Sequence, residues 1–168
     1  MNSRSQTDSR AALIVRNGMI VDGMGGVPFK GDVAVKDGKI VEIGTVTGTG
    51  KEEIDATGCI VTPGFVDIHT HYDGHVLWDT HLYPSSNHGV TTALIGNCGV
   101  GFAPCRPDTR DAMLNYMEGV EDIPQESMKI GLKWNWETFP EYLDAVAERQ
   151  LDMDVAAHIG HIPLRAFV

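Results

Sequence analysis

Residues 62–71 read TPGFVDIHTH. Pro63 and Gly64 punctuate the chain, Phe65, Val66 and Ile68 supply a short apolar run, and the run ends in His69 and His71 where turn residues would be ordinary. Such a run suits a strand over 64–69 that is buried on both faces. Side chains two apart on a strand share a face, so both imidazoles can reach one metal ion. Two unrelated surface or core histidines would give the same spacing. The position decides for a site, because the carboxyl ends of strands are where βα barrels carry their chemistry.

Downstream, the pattern repeats. Thr91–Gly96 and Asp154–Ile159 read as two more apolar strands, with helical spacing between them, which is the signature of βα units. Asp108 can cap a helix whose apolar stripe is Met113, Leu114, Met117 and Val120. Thr138 and Glu141 form a capping box ahead of a second stripe, Tyr142, Leu143 and Val146. Trp134 and Trp136 read as packing anchors.

The second strand closes on IGNCGVG, where Gly96 and Gly99 bracket Cys98 and let other backbone approach. A free cysteine is commonly a small buried hydrophobe, but a thiolate is also a good zinc ligand, and here it falls at the same strand end as His69 and His71. The third strand closes on AAHIGH. His161 is the candidate for lining a substrate pocket, against a structural role, and His158 reads as buried and hydrogen-bonded. Asp67 either orients a ligand histidine or is a strand-end carboxylate. His75, His81 and His88 lack ligand spacing, and Cys59 and Cys105 read as structural.

Upstream, residues 12–61 read as short antiparallel strands rich in glycine. Asn17-Gly18 and Asp37-Gly38 are both hairpin dipeptides. The expected segmentation is a tail over 1–11, a small β module over 12–61, and a run of βα units over 62–168.

With 13 basic and 23 acidic side chains the net charge is −10, and no basic patch with interleaved aromatics is present, so nucleic acid is excluded as a partner. No stretch approaches the roughly 18 apolar residues of a membrane span, and no signal-peptide pattern opens the sequence. Three cysteines in such a chain do not make a disulfide framework, and a cytoplasmic location is expected.

TPGFVDIHTH resembles the first-strand signature of the amidohydrolase superfamily, and NGMIVDG with VKDGKIVEIG is similar to its small β-sandwich domain. GVTTALIGNCGVGFAPCRPD, MEGVEDIP, WNWETFPEYLDAV and HIGHIPLRAFV narrow the resemblance to the D-aminoacylase (N-acyl-D-amino-acid deacylase) branch. The resemblance implies an α/β fold: residues 62–168 are a partial (β/α)₈ TIM-type barrel of three βα units, the first part of a larger barrel, preceded by a small β-sandwich segment over 12–61. It implies one or two zinc ions, with His69 and His71 at one metal position and Cys98 bridging. It further implies hydrolysis of N-acyl-D-amino acids, completed by two later histidines and an acid/base aspartate beyond Val168. Eight such units take about 250 residues, so the pattern is expected to continue past this chain. Hydrolysis of a cyclic amide or another C–N bond is the competing activity. A non-catalytic chain, or one that pairs with a copy of itself or a complementary chain, is the competing class. Arg106 and Arg165 are the visible cations near strand ends.

Overall fold

Strand β1 (Ala11–Ile20) is the axis of the first of two units into which the chain divides at Pro63/Gly64. The computed structural model describes residues 10–168; most of the tail expected over 1–11 lies outside them, and Ala11 already belongs to β1. β2 (Phe29–Lys36) and β3 (Lys39–Gly44) form an antiparallel hairpin through Asp37-Gly38, both with positive φ, as a type I′ turn requires. β4 (Gly50–Asp55) and β5 (Ile60–Val61) both run parallel to β1. The sheet order is β3-β2-β1-β4, with β5 also on β1.

Two expectations change here. The strands are mixed, not all antiparallel, because the chain crosses from β3 to the far side of β1 before it re-enters the sheet. The described residues of this unit form one five-stranded sheet. Asn17-Gly18 does not turn the chain. Asn17, at φ 60°, bulges β1 between two registers against β2. The bulge is held by the Asn17 N–H on Asp32 Oδ1 (2.9 Å) and its amide on Asp55 Oδ1 (3.2 Å). Arg16 beside it pairs with Asp32 and Glu53, each at 3.0 Å.

The second unit is mixed α/β. Three parallel strands, β6 (Phe65–Asp67), β7 (Val90–Ile95) and β8 (Asp154–Ala157), lie in chain order in one open sheet. Between β6 and β7 lies the single turn α1 (His75–Trp78). Between β7 and β8 lie α2 (Arg110–Glu121), α3 (Gln125–Gly131) and α4 (Phe139–Ala147), one helix more than the sequence pattern separates. α5 (His161–Phe167) follows β8.

Ala93 and Ile95 of β7, with partly buried Val155 and Ala157 opposite them on β8, form the covered face. Phe102, Leu82, Leu114, Met117 and Met128 fill the space against them. Each such side chain contributes about 1.5–3 kcal/mol on burial. Trp136 anchors this core and donates its indole N–H to the Phe102 carbonyl at 2.9 Å. Phe65, Val66 and Ile68 are 57%, 56% and 65% exposed, so β6 is not buried on both faces: only one side of the three-stranded sheet is covered here.

The helix starts divide the same way. Thr138 caps α4 with both bonds of the capping box. Asp108 caps nothing: it falls inside a 3₁₀ turn (Pro107–Thr109), and α2 starts after Thr109. The buried stripe of α2 is Met113, Leu114 and Met117, while Val120 is 43% exposed. In α4, Tyr142 and Ala145 are buried and Leu143 is exposed.

Candidate metal centre

β6 ends at Asp67, short of the strand expected over 64–69, so His69 and His71 lie beyond it and are held there by their neighbours. Thr70, between the histidines, is buried and gives both its N–H (2.9 Å) and its hydroxyl (2.8 Å) to the Leu94 carbonyl of β7. With Thr70 fastened inward, the flanking imidazoles turn together to the other side, their ring centroids 5.5 Å apart. Asn97 donates its amide to the Ile68 carbonyl at 2.8 Å, which ties the β7 loop to the same segment. Asp67 accepts the His69 backbone N–H at 3.2 Å, and the Ser85 hydroxyl at 3.4 Å. It therefore steadies the main chain of the pair and leaves the rings alone.

Cys98 arrives from β7 on a tight turn, closed by the Gly99 N–H on the Gly96 carbonyl at 3.1 Å. Gly96 sits at φ +77°, and a Cβ on it would lie 2.3 Å from the His158 carbonyl oxygen. Only glycine fits that approach. The turn puts Cys98 Sγ 3.4 Å from His71 Nε2.

One ligand atom from each of His69, His71 and Cys98 lies within 4.8 Å of the others. Two ligands of one tetrahedral zinc stand roughly 3.3–3.7 Å apart, given Zn–N of about 2.0 Å and Zn–S of about 2.3 Å. The Nε2–Sγ pair already meets that spacing, and two imidazoles with a thiol are the donor chemistry zinc takes. The residues present fit the ion. Burial and the neighbouring His69 push the His71 imidazole below its ordinary pKa, which keeps it in the neutral, ligating form.

His69 and His71 border a pocket of about 520 Å³, lined also by Asp67, His75, Ser85 and Glu121, with Cys98 outside that lining. Behind it sits a pair of buried acids that sequence reasoning did not single out. Asp73 is 3% exposed, and burial pushes its carboxyl up to about 7. Glu121 closes α2, and burial, with Asp73 nearby, raises it to about 8. Its Oε1 stands 3.8 Å from His71 Nδ1. With the acid protonated and the imidazole neutral near pH 7, this pair is a contact between neutral groups. Tyr142 donates its hydroxyl to the Asp73 carbonyl at 2.8 Å and is wholly enclosed, which pushes its phenol well up. The signal for Glu121 was its spacing: it follows Met117 by four residues, on the buried stripe of α2.

The remaining candidates are placed as follows. His161 is exposed at the start of α5, where the next residue, Ile162, donates its N–H to the Gly99 carbonyl at 2.8 Å. That brings its backbone beside the Cys98 turn, but it does not line the 520 Å³ pocket. His158 is exposed, not buried, because β8 ends one residue before it. Cys105 is buried and Cys59 exposed. Arg106 lies over the Phe167 ring at 4.9 Å, and Arg165 is exposed. Among the described residues, no helix is long and apolar enough to cross a membrane.

Comparison with known proteins places this geometry in context. The chain is 34% identical to the N-acyl-D-aspartate deacylase of Alcaligenes xylosoxydans xylosoxydans, over 100% of its own length and 32% of that protein. A crystal structure of a D-aminoacylase superposes with a TM-score of 0.75 at 29% identity, covering 94% of this chain and 31% of the other. The N-acyl-D-glutamate deacylase of Bordetella bronchiseptica, solved with zinc and a phosphonate mimic of the tetrahedral intermediate, gives 0.68 at 27%, covering 93% and 31%. The chain thus spans about a third of the length of these relatives. Residues 52–166 match the amidohydrolase family, and the chain belongs to that family.

Proposed function

We propose that this chain carries part of the active site of a zinc-dependent N-acyl-D-amino-acid deacylase, and that its three parallel strands are the first three βα units of a (β/α)₈ barrel. The observation that carries the reading is the meeting of His69, His71 and Cys98 at the carboxyl ends of two neighbouring parallel strands. The likeness to three proteins named as D-amino-acid acylases or deacylases supports the substrate class.

His69, His71 and Cys98 would hold the metal. Bound zinc supplies a Lewis acid that polarises the acyl carbonyl and acidifies water. The chain's own contribution is positioning. Thr70 and Asn97 fix the spacing between the histidine segment and the cysteine turn. The pocket beside them provides room for the acyl group, and His161, beside the Cys98 turn, faces the substrate side in this reading. The products are a carboxylic acid and a free D-amino acid.

The test is a substrate panel with the zinc-loaded, full-length protein: N-acyl-D-amino acids, their L enantiomers and cyclic amides. Deacylation of the D compounds is expected, with turnover and bound zinc both lost in Cys98→Ala. Turnover of cyclic amides alone would overturn the substrate assignment. Full zinc content and activity in Cys98→Ala would overturn the metal assignment.

A further inference from the structure

Resting on that reading of the metal centre, we propose that Glu121 is a positioning residue for His71: its buried carboxyl takes the hydrogen bond from Nδ1–H and thereby turns Nε2 toward the metal. The two ring nitrogens of His71 already face different groups. Nε2 is the nearer to Cys98 Sγ, at 3.4 Å against 3.9 Å for Nδ1, while Nδ1 faces Glu121 Oε1 at 3.8 Å. A ligating histidine needs a proton on the nitrogen away from the metal and an acceptor for it, since that bond fixes both tautomer and ring orientation.

Glu121 is an unusual place to find a carboxyl. It continues the stripe of Met113 and Met117 by one helical turn, a position where a leucine would bury at no polar penalty. Its side chain is 8% exposed. Oε1 is shielded from solvent and has no hydrogen-bond partner in the described residues. Such an orphaned acceptor is destabilising unless a partner reaches it. An approach of roughly 1 Å by either ring or helix end would close the bond at the usual length of about 2.8 Å. A carboxyl oxygen accepts there whether or not the acid carries its proton.

The helix end is built to hold that position. Asp122 takes the left-handed conformation at φ 55° and returns its N–H to the Glu118 carbonyl at 3.1 Å, so the chain leaves the helix directly after Glu121. Gln125 then fastens the exit by donating to the Glu118 carboxylate at 2.7 Å.

The experiment compares zinc affinity, by competition with a chromophoric chelator, and melting of the zinc-free protein, in full-length wild type, Glu121→Leu, Glu121→Met, Glu121→Gln and His71→Ala. Glu121→Leu should melt at or above the wild-type temperature without metal, because an orphaned buried polar group is gone. It should bind zinc ten- to a hundredfold more weakly, the range expected when the partner of a ligating histidine is lost. Glu121→Gln keeps a carbonyl oxygen that accepts from Nδ1–H and should retain zinc affinity. Should Glu121→Leu fail to fold, Glu121→Met carries the test and should bind zinc at least about tenfold more weakly. Unchanged affinity in folded Glu121→Leu or Glu121→Met, with His71→Ala losing zinc, overturns the role of Glu121 alone, and a loss in Glu121→Gln equal to that in Glu121→Leu overturns the acceptor role. Loss of zinc-free stability in step with affinity reduces Glu121 to a structural residue and equally overturns it. Unchanged affinity in His71→Ala overturns the metal reading and this inference with it.

Discussion

Adding one methyl group at two glycines of the same unit should move stability in opposite directions. Gly96 takes φ +77°, and an alanine Cβ there would stand 2.3 Å from the His158 carbonyl oxygen and 3.2 Å from its carbon. An L residue in left-handed backbone costs about 1–2 kcal/mol. The clash is with main chain, which cannot rotate away, so the end of β8 must shift. That shift strains the His158 N–H bond to the Ile95 carbonyl, 2.9 Å long, worth about 0.5–1.5 kcal/mol. Gly96→Ala should therefore destabilise by about 1.5–3.5 kcal/mol, the sum of those two terms. Gly119 lies within α2 and has nothing within 4 Å of the same methyl position. Gly119→Ala should stabilise by about 0.5–1 kcal/mol, the difference in helix propensity. Equilibrium urea unfolding of both variants reads the two numbers against one wild-type curve. If Gly96→Ala fell within 0.5 kcal/mol of wild type, or if Gly119→Ala were the more damaging, the close approach of β8 to the Cys98 turn would be refuted.

Two further outcomes follow from groups already described. Thr138→Ala removes one half of the capping box of α4 and should cost about 1 kcal/mol in the same unfolding assay. Asp73, raised to about 7 in the folded protein, keeps a proton there that the unfolded chain surrenders near its ordinary value of about 3.9, so its contribution to folding stability should fall as pH climbs from about 4 to about 7 and then level off. Unfolding measured at pH 5 and pH 8 should show wild type losing about 2–3 kcal/mol relative to Asp73→Asn, and parallel pH profiles would remove the buried acid from the account.

What could be read in the sequence was local, and what could not depended on distant partners. The histidine pair, the bracketed Cys98 and the Thr138 capping box each declare themselves within a few residues. Asn17-Gly18 and Asp37-Gly38 carry the same turn signal. They differ in outcome because Lys39–Gly44 pairs back on β2, whereas the chain after Gly18 runs on and finds β5 beside it. No dipeptide encodes that choice. The spacing of Glu121 marks it as part of the α2 stripe, but its partner His71 stands fifty residues earlier in the chain and only the fold brings the two together. Hydrophobicity alone carries the α2 stripe through Val120, which is exposed, and past Glu121, whose side chain is enclosed. His158 differs for the complementary reason: its apolar neighbours suggest burial, but the strand ends at Ala157.

The bulge at Asn17 gives β1 a part that its length alone would not. Ahead of it, Ala11–Arg16 keeps step with β4; beyond it, Met19 and Ile20 keep step with β5, and β2 spans both on the other edge. A single strand thus sets the phase of every other strand it touches. Losing or gaining one residue within 11–20 would turn half of those side chains to the opposite face at once. An insertion in the stretch between Asp22 and Pro28, where Met24 and Val27 are 85% and 88% exposed, would leave that phase untouched.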